Sequence, residues 1–197
     1  AAHAYFDDGG FVDDLARRVA IPSESQKEDS RPALDRYLNE EMVPAFEAMG
    51  HDCQIFENPE EGKGPVLLAT RIEDDNFPTV LGYGHGDVVR GLEDQWYEGL
   101  NPWVTTERGD KLYGRGTADN KAQHTANMIA IAQVLEVRGK LGFNSKFMIE
   151  MGEENGSPGL GQIIEANLEV FSANVFIASD GPRVEPEQPT IFLGARG

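Results

Sequence analysis

The chain has 197 residues, 40% of them apolar, which is enough for one domain with a sizeable core. Acidic residues outnumber basic ones 34 to 17, a net charge of −17 that argues against a nucleic-acid partner. No apolar run reaches the about 18 residues that span a bilayer, so no membrane partner is expected. The start Ala1-Ala2-His3-Ala4 lacks the basic and apolar stretches of a signal peptide. The single cysteine, Cys53, excludes an internal disulfide and a cysteine-rich metal site, and it points to the cytoplasm.

Asp13 to Ala20 reads as part of a first helix, ended by Ile21-Pro22. Ser30 is placed to cap a second helix with Pro32 in its first turn. Leu34, Leu38, Met42, Phe46 and Met49 form its core-facing stripe, Gly50 stops it, and Pro44 should kink it. Val66 to Ile72 and Thr79 to Tyr83 are β-rich, and Glu73-Asp74-Asp75-Asn76 between them reads as a hairpin-like turn. A long loop from Arg90 to Lys111 follows, the kind of segment that often carries function. Lys121 to Arg138 reads as a helix, apolar nearly all round from Met128 to Ala132, which predicts deep burial. Lys146 to Met151 and Val175 to Ala178 read as strands, with a helix from Gly159 to Leu168 between them. Ile191 to Leu193 begins another strand, and ending on Gly194-Ala195-Arg196-Gly197 reads as a fragment of a longer protein. This alternation, without repeats, predicts an α/β fold with a largely parallel sheet.

Four polar clusters fall where strands end or loops begin: Gly84-His85-Gly86-Asp87, Tyr113 to Lys121 with Asp119 inside it, Gly152-Glu153-Glu154-Asn155-Gly156-Ser157, and Ser179-Asp180-Gly181-Pro182. Three of them follow predicted strands, where sites form in open α/β sheets. Imidazole with carboxylates is a common ligand set for zinc, and cobalt or manganese can substitute. One carboxylate can bridge two ions, and ions about 3.5–4 Å apart hold a shared water and lower its pKa. His-x-Asp and adjacent acids are each common by chance. Their joint occurrence at strand ends carries the metal reading.

The motifs Gly-His-Gly-Asp-Val-Val, Leu-Tyr-Gly-Arg-Gly-Thr-Ala-Asp-Asn-Lys and Met-Gly-Glu-Glu-Asn-Gly-Ser carry a resemblance. From about Asp13 to Gly197 the sequence resembles the dinuclear zinc family of acetylornithine deacetylase, succinyl-diaminopimelate desuccinylase, carnosinase, aminoacylase and glutamate carboxypeptidase. The resemblance implies a three-layer α/β/α zinc-exopeptidase-like domain with a mixed, largely parallel sheet, with residues 1–197 as the N-terminal portion of the metal-binding catalytic domain. It implies that His85 binds one metal with Asp87 orienting it from behind, Asp119 bridges two metals, Glu154 binds the second and Asp180 the first. Glu153 is then the general base, two Zn²⁺ fill the complete site, and the Asp119–Asn120 peptide is expected to be cis. Asn120 stands where many members carry another acid or a methionine. Members also have a late histidine and a lid and dimerisation domain inserted after a strand like Ile191 to Leu193, so a homodimer is expected at full length and poor activity from this stretch alone.

Glu-Glu-Asn-Gly-Ser-Pro-Gly-Leu looks closest to the dipeptidase and carnosinase branch, favouring a small peptide over an N-acyl amino acid as substrate. The rival reading is a non-catalytic metal-binding or interaction domain on the same fold, and it leaves the pair Glu153-Glu154 without a reason. A phosphate site at Gly114-Arg115-Gly116 fits neither standard glycine spacing. His124 is expected to be a core residue, His3 and His51 surface residues, and Trp96, Trp103 and Arg115 packing elements of their loops. Cys53, with no catalytic histidine motif beside it, is not expected to be a nucleophile.

Overall fold

The computed structural model describes residues 2–181 together with 185, 187, 188, 190 and 191. Two helices, α1 (Ala2–Asp7) and α2 (Gly10–Val19), open the chain. Next come α3 (Arg31–Arg36), a π-helical stretch Tyr37–Met42, and α4 (Val43–Ala48). The strands are β1 (Asp52–Phe56), β2 (Val66–Arg71), β3 (Thr79–His85), β4 (Thr106–Arg108) and β5 (Lys111–Tyr113). Then follow α5 (Lys121–Arg138), β6 (Asn144–Glu150), α6 (Leu160–Ala166), α7 (Leu168–Phe171) and β7 (Val175–Ala178).

Side chains alternate across a strand, and in β2 and β6 both faces are apolar. Leu67, Ala69, Phe147 and Ile149 pack with Leu34, Tyr37, Leu38, Met42 and Phe46 of α3 to α4 and with Met128 of α5. Val66, Leu68 and Met148 pack the other way, with Ile163 of α6 and Phe171 of α7. Helices therefore cover both faces, giving the three layers expected. The strand order is β1-β2-β6-β3-β7, with β4 and β5 as a separate small hairpin. The sheet is mixed: β3 is parallel to both β6 and β7, while β1–β2 and β2–β6 are antiparallel.

Several local expectations are corrected. β2 and β3 do not form a hairpin, because β6 lies between them and pairs with both. The acidic turn instead serves β6: Glu73 accepts the Leu141 and Gly142 N–H groups, and Asn144 binds the Asp74 carbonyl. Pro44 does not simply kink its helix. It lacks the N–H that would bond four residues back, and the π-helical stretch absorbs the loss, with Val43 N–H bonding the Leu38 carbonyl five residues back. Ser30 precedes α3 but makes no side-chain cap. Only Lys121, His124, Thr125 and Met128 of α5 are buried, so its apolar later turns are not enclosed. The strand expected at Ile191 lies mostly outside the described residues, and Ile191 itself is exposed. Among the described residues no helix is long and apolar enough to cross a membrane.

His51 is buried rather than at the surface, 3% exposed, and stands edge-on to Phe46 with one ring nitrogen 3.1 Å from Ser145 Oγ. Burial, reinforced by Arg71 and opposed by Asp52, pushes its pKa from 6.5 down to about 4. Below its unfolded pKa the unfolded chain takes a proton that the folded chain refuses. Stability is therefore complete above about pH 6.5 and falls as the pH drops towards 4. Between pH 7.5 and 5 the wild type should lose about 1–2 kcal/mol more than His51→Gln in urea unfolding. Equal losses in the two proteins would contradict this.

Candidate metal centre

The three mutually parallel strands β3, β6 and β7 all end at one edge of the sheet, and each delivers acidic or imidazole groups there. His85 is the last residue of β3, and its side chain is completely buried. Its Nδ1 donates to the backbone carbonyl of Asp87 at 3.0 Å and lies 3.4 Å from the Asp87 carboxylate. When the imidazole is neutral, this hydrogen bond holds the proton on Nδ1 and leaves Nε2 free, as a metal-binding histidine requires. Around Nε2 stand Asp119 at 2.9 Å, Asp180 at 3.7 Å and Glu153 at 3.8 Å.

At the end of β6 the chain enters a short 3₁₀ turn, Glu153–Asn155. Its first two N–H groups donate to opposite oxygens of Asp87, Glu153 at 3.2 Å and Glu154 at 3.1 Å. Asp87 thus orients His85 through its backbone carbonyl, while its buried carboxylate fixes the turn that carries both glutamates. Asp87 is itself held by the Ser25 hydroxyl at 2.6 Å. Ser25 belongs to a strap across the site edge. The Ser23 hydroxyl binds the Gly86 carbonyl at 2.6 Å, Val88 N–H binds Ser23 O, Asn155 binds Ser25 O, and Gln26 binds Glu154 O. No sequence motif marks this strap, since polar Ser23-Glu24-Ser25-Gln26 has the composition of any loop.

The Asp119–Asn120 peptide is cis, as the resemblance implied. Gly84, the penultimate residue of β3, lets α5 approach this closely, since a Cβ there would stand 2.6 Å from His124 Cβ and 3.0 Å from Asn120 Oδ1. His124 is core, as expected: it sits behind the site, and burial holds its pKa well below the usual value. Trp96 and Trp103 bind Gly91 O and Glu93 within their own loop, and Arg115 stacks over Trp96, 5.6 Å from the ring centre. Burial pushes the Cys53 thiol up to about 11, consistent with an inert residue. Pro182, the last residue of the fourth cluster, lies outside the described residues.

Two triads have ligand atoms within 4.8 Å of one another, His85–Asp119–Asp180 and His85–Glu153–Glu154. Among the described residues, every ion pair made by Asp87, Asp119, Glu153 and Asp180 is with His85 alone. The crowding shows in the acids. Burial raises Glu153 and Glu154 above the ordinary carboxylate range, with Asp180 adding to the effect on Glu153 and Asp119 on Glu154, while His85 opposes both. Burial disfavours a charged His85, yet the Asp87 hydrogen bond and the charges of Asp87, Asp180 and Asp119 push it up to about 9. Hard oxygens and one imidazole, paired with no Lys or Arg among the described residues, fit a divalent cation.

Comparison with known proteins gives the family of the chain. Residues 81–191 match the profile of Peptidase family M20/M25/M40. The chain is 35% identical over 200 residues to the Beta-Ala-His dipeptidase of Mus musculus, covering 95% of this chain and 40% of that protein. It is 32% identical over 157 residues to a Cysteinylglycine-S-conjugate dipeptidase of Corynebacterium striatum, covering 79% of this chain and 34% of that one. The fold superimposes on human carnosine dipeptidase 1 with a TM-score of 0.83 at 31% identity, covering 90% of this chain and 40% of that structure. The chain thus spans less than half the length of the curated relatives it matches. With a profile match over more than half its residues, this chain belongs to the M20/M25/M40 peptidase family.

Proposed function

We propose that residues 1–197 form a metal-binding domain of a hydrolase that cleaves the peptide bond of small peptides, dipeptides foremost. The observation that carries this reading is the buried His85, braced on Nδ1 and surrounded on Nε2 by carboxylates that, among the described residues, pair with no lysine or arginine. His85, Asp119, Glu154 and Asp180 would hold zinc, with cobalt or manganese as substitutes. When bound, the metal supplies Lewis acidity and lowers the pKa of water to about 7. Glu153 takes a proton from the attacking water at its carboxylate and returns it to the leaving amine. Asp87 keeps His85 and Glu153 in register through the contacts described. Dipeptides rank above N-acyl amino acids because two relatives of this chain bear dipeptidase names. A cytoplasmic setting and a homodimer belong to the same reading.

The test is a purified full-length protein assayed on dipeptides and N-acetyl amino acids before and after chelation. Dipeptide hydrolysis should dominate, vanish with chelator and return with added zinc, cobalt or manganese. A protein that binds zinc but cleaves neither class would be a binding domain instead.

A further inference from the structure

The carboxamide of Asn120 is completely buried and uses every hydrogen-bonding position it has. Its Oδ1 accepts the backbone N–H of His85 at 3.2 Å and stands 3.1 Å from His124 Nδ1. Its Nδ2 donates to the Ser179 carbonyl at 2.8 Å and to Gln123 Oε1 at 2.6 Å. The two backbone partners decide which way round the amide lies, because a peptide N–H can only donate and a peptide C=O can only accept. Facing Oδ1, His124 must carry its hydrogen on Nδ1. Its Nε2 then accepts from the Tyr37 hydroxyl, 2.6 Å away in the core. The result is a directed chain, Tyr37 O–H to His124 to Asn120, in which both ring nitrogens of His124 and every position of the Asn120 amide are engaged.

The position of this chain matters. The ladder between β3 and β7 ends at the pair Tyr83 and Ala178. Beyond it, no backbone rung joins His85 to Ser179 and Asp180. The Asn120 side chain supplies that rung, reaching the His85 N–H on one side and the Ser179 C=O on the other. Asn127, further along α5, secures the Ser179 hydroxyl at 2.8 Å. Asn120 is also the immediate neighbour of Asp119. One side chain therefore ties the backbones of the segments that carry His85 and Asp180 to the residue next to Asp119.

We infer that Asn120 is a positioning residue that sets the spacing of His85, Asp119 and Asp180, with His124 and Tyr37 holding its amide in the required orientation. The inference rests on the metal-centre reading. It is tested on the full-length protein with Zn²⁺ alone as probe, by competition with a chromophoric chelator. Asn120→Ala should weaken zinc binding by about 10–100-fold, the usual cost of losing an outer support of a metal site. Phe46→Leu, a core change among Phe147 and His51, is the control for general destabilisation. It should lower Tm while keeping the wild-type zinc affinity. In ¹⁵N-histidine spectra of the wild type, His124 should carry its proton on Nδ1. Wild-type zinc affinity in Asn120→Ala, a loss that merely follows Tm as in Phe46→Leu, or a His124 proton on Nε2 would each overturn the role of Asn120. A wild type that binds no zinc would overturn the metal-centre reading, and this role with it.

Discussion

Replacing Glu153 by glutamine is expected to lower kcat by about 10²–10⁴-fold, the range for losing a general base, while metal content stays unchanged. The two adjacent glutamates lie in one 3₁₀ turn whose N–H groups are both clamped by Asp87. In an extended strand they would point to opposite sides, but here both have oxygens within reach of His85. Glutamine keeps the shape of Glu153 and removes its basicity. If Glu154 is a ligand as proposed, Glu154→Gln removes an anionic ligand instead, so zinc affinity should fall and added zinc should partly restore the rate. Metal stoichiometry and kcat on the two proteins side by side separate the roles. Loss of metal from Glu153→Gln, with the rate per bound metal unchanged, would show the roles to be exchanged.

Asp87→Ala should have the second-largest effect, and on two readouts at once. The carboxylate is fully buried and takes the Glu153 N–H, the Glu154 N–H and the Ser25 hydroxyl while bracing His85. Removing it leaves these donors without their partner in a confined space, at about 1–3 kcal/mol for each one not rescued by water. The Nδ1 side of His85 also loosens, so zinc affinity should fall by about 10–100-fold. Ser25→Ala removes only one of the three donors and should show a much smaller fall in Tm. Calorimetric melting and zinc titration of both variants check the ranking. Wild-type melting and zinc affinity in Asp87→Ala would mean that the carboxylate holds neither the turn nor the imidazole.

The gathering of these acids and the imidazole was readable before the architecture that supports it. His85, Asp119, Glu153, Glu154 and Asp180 stand out because each follows a glycine-rich or β-rich signal; the parallel strands β3, β6 and β7 bring all but Asp119 to one edge, and the turn before α5 adds Asp119. The supports were not readable, because they depend on which strands are neighbours. Placing β6 between β2 and β3 replaces the expected hairpin and sets the β6 turn beside β3, where Asp87 can cap it. Ser25 reaches that carboxylate across 62 positions, and Tyr37 reaches His124 across 87. No local pattern encodes such separations. The apolar run in α5 misled for a related reason: the turn that packs deepest is the polar first one, where Lys121 Nζ binds the carbonyls of Arg18 and Ile21 at 2.9 and 2.8 Å.

The most direct test of the metal centre is anomalous diffraction at the zinc edge from zinc-loaded crystals of the full-length protein. Expected are peaks about 2.0–2.2 Å from His85 Nε2 and from carboxylate oxygens of Asp119, Glu154 and Asp180, with Glu153 close by but uncoordinated. No peak among these residues, or a peak ligated by Glu153 with Glu154 turned away, would contradict the assignment.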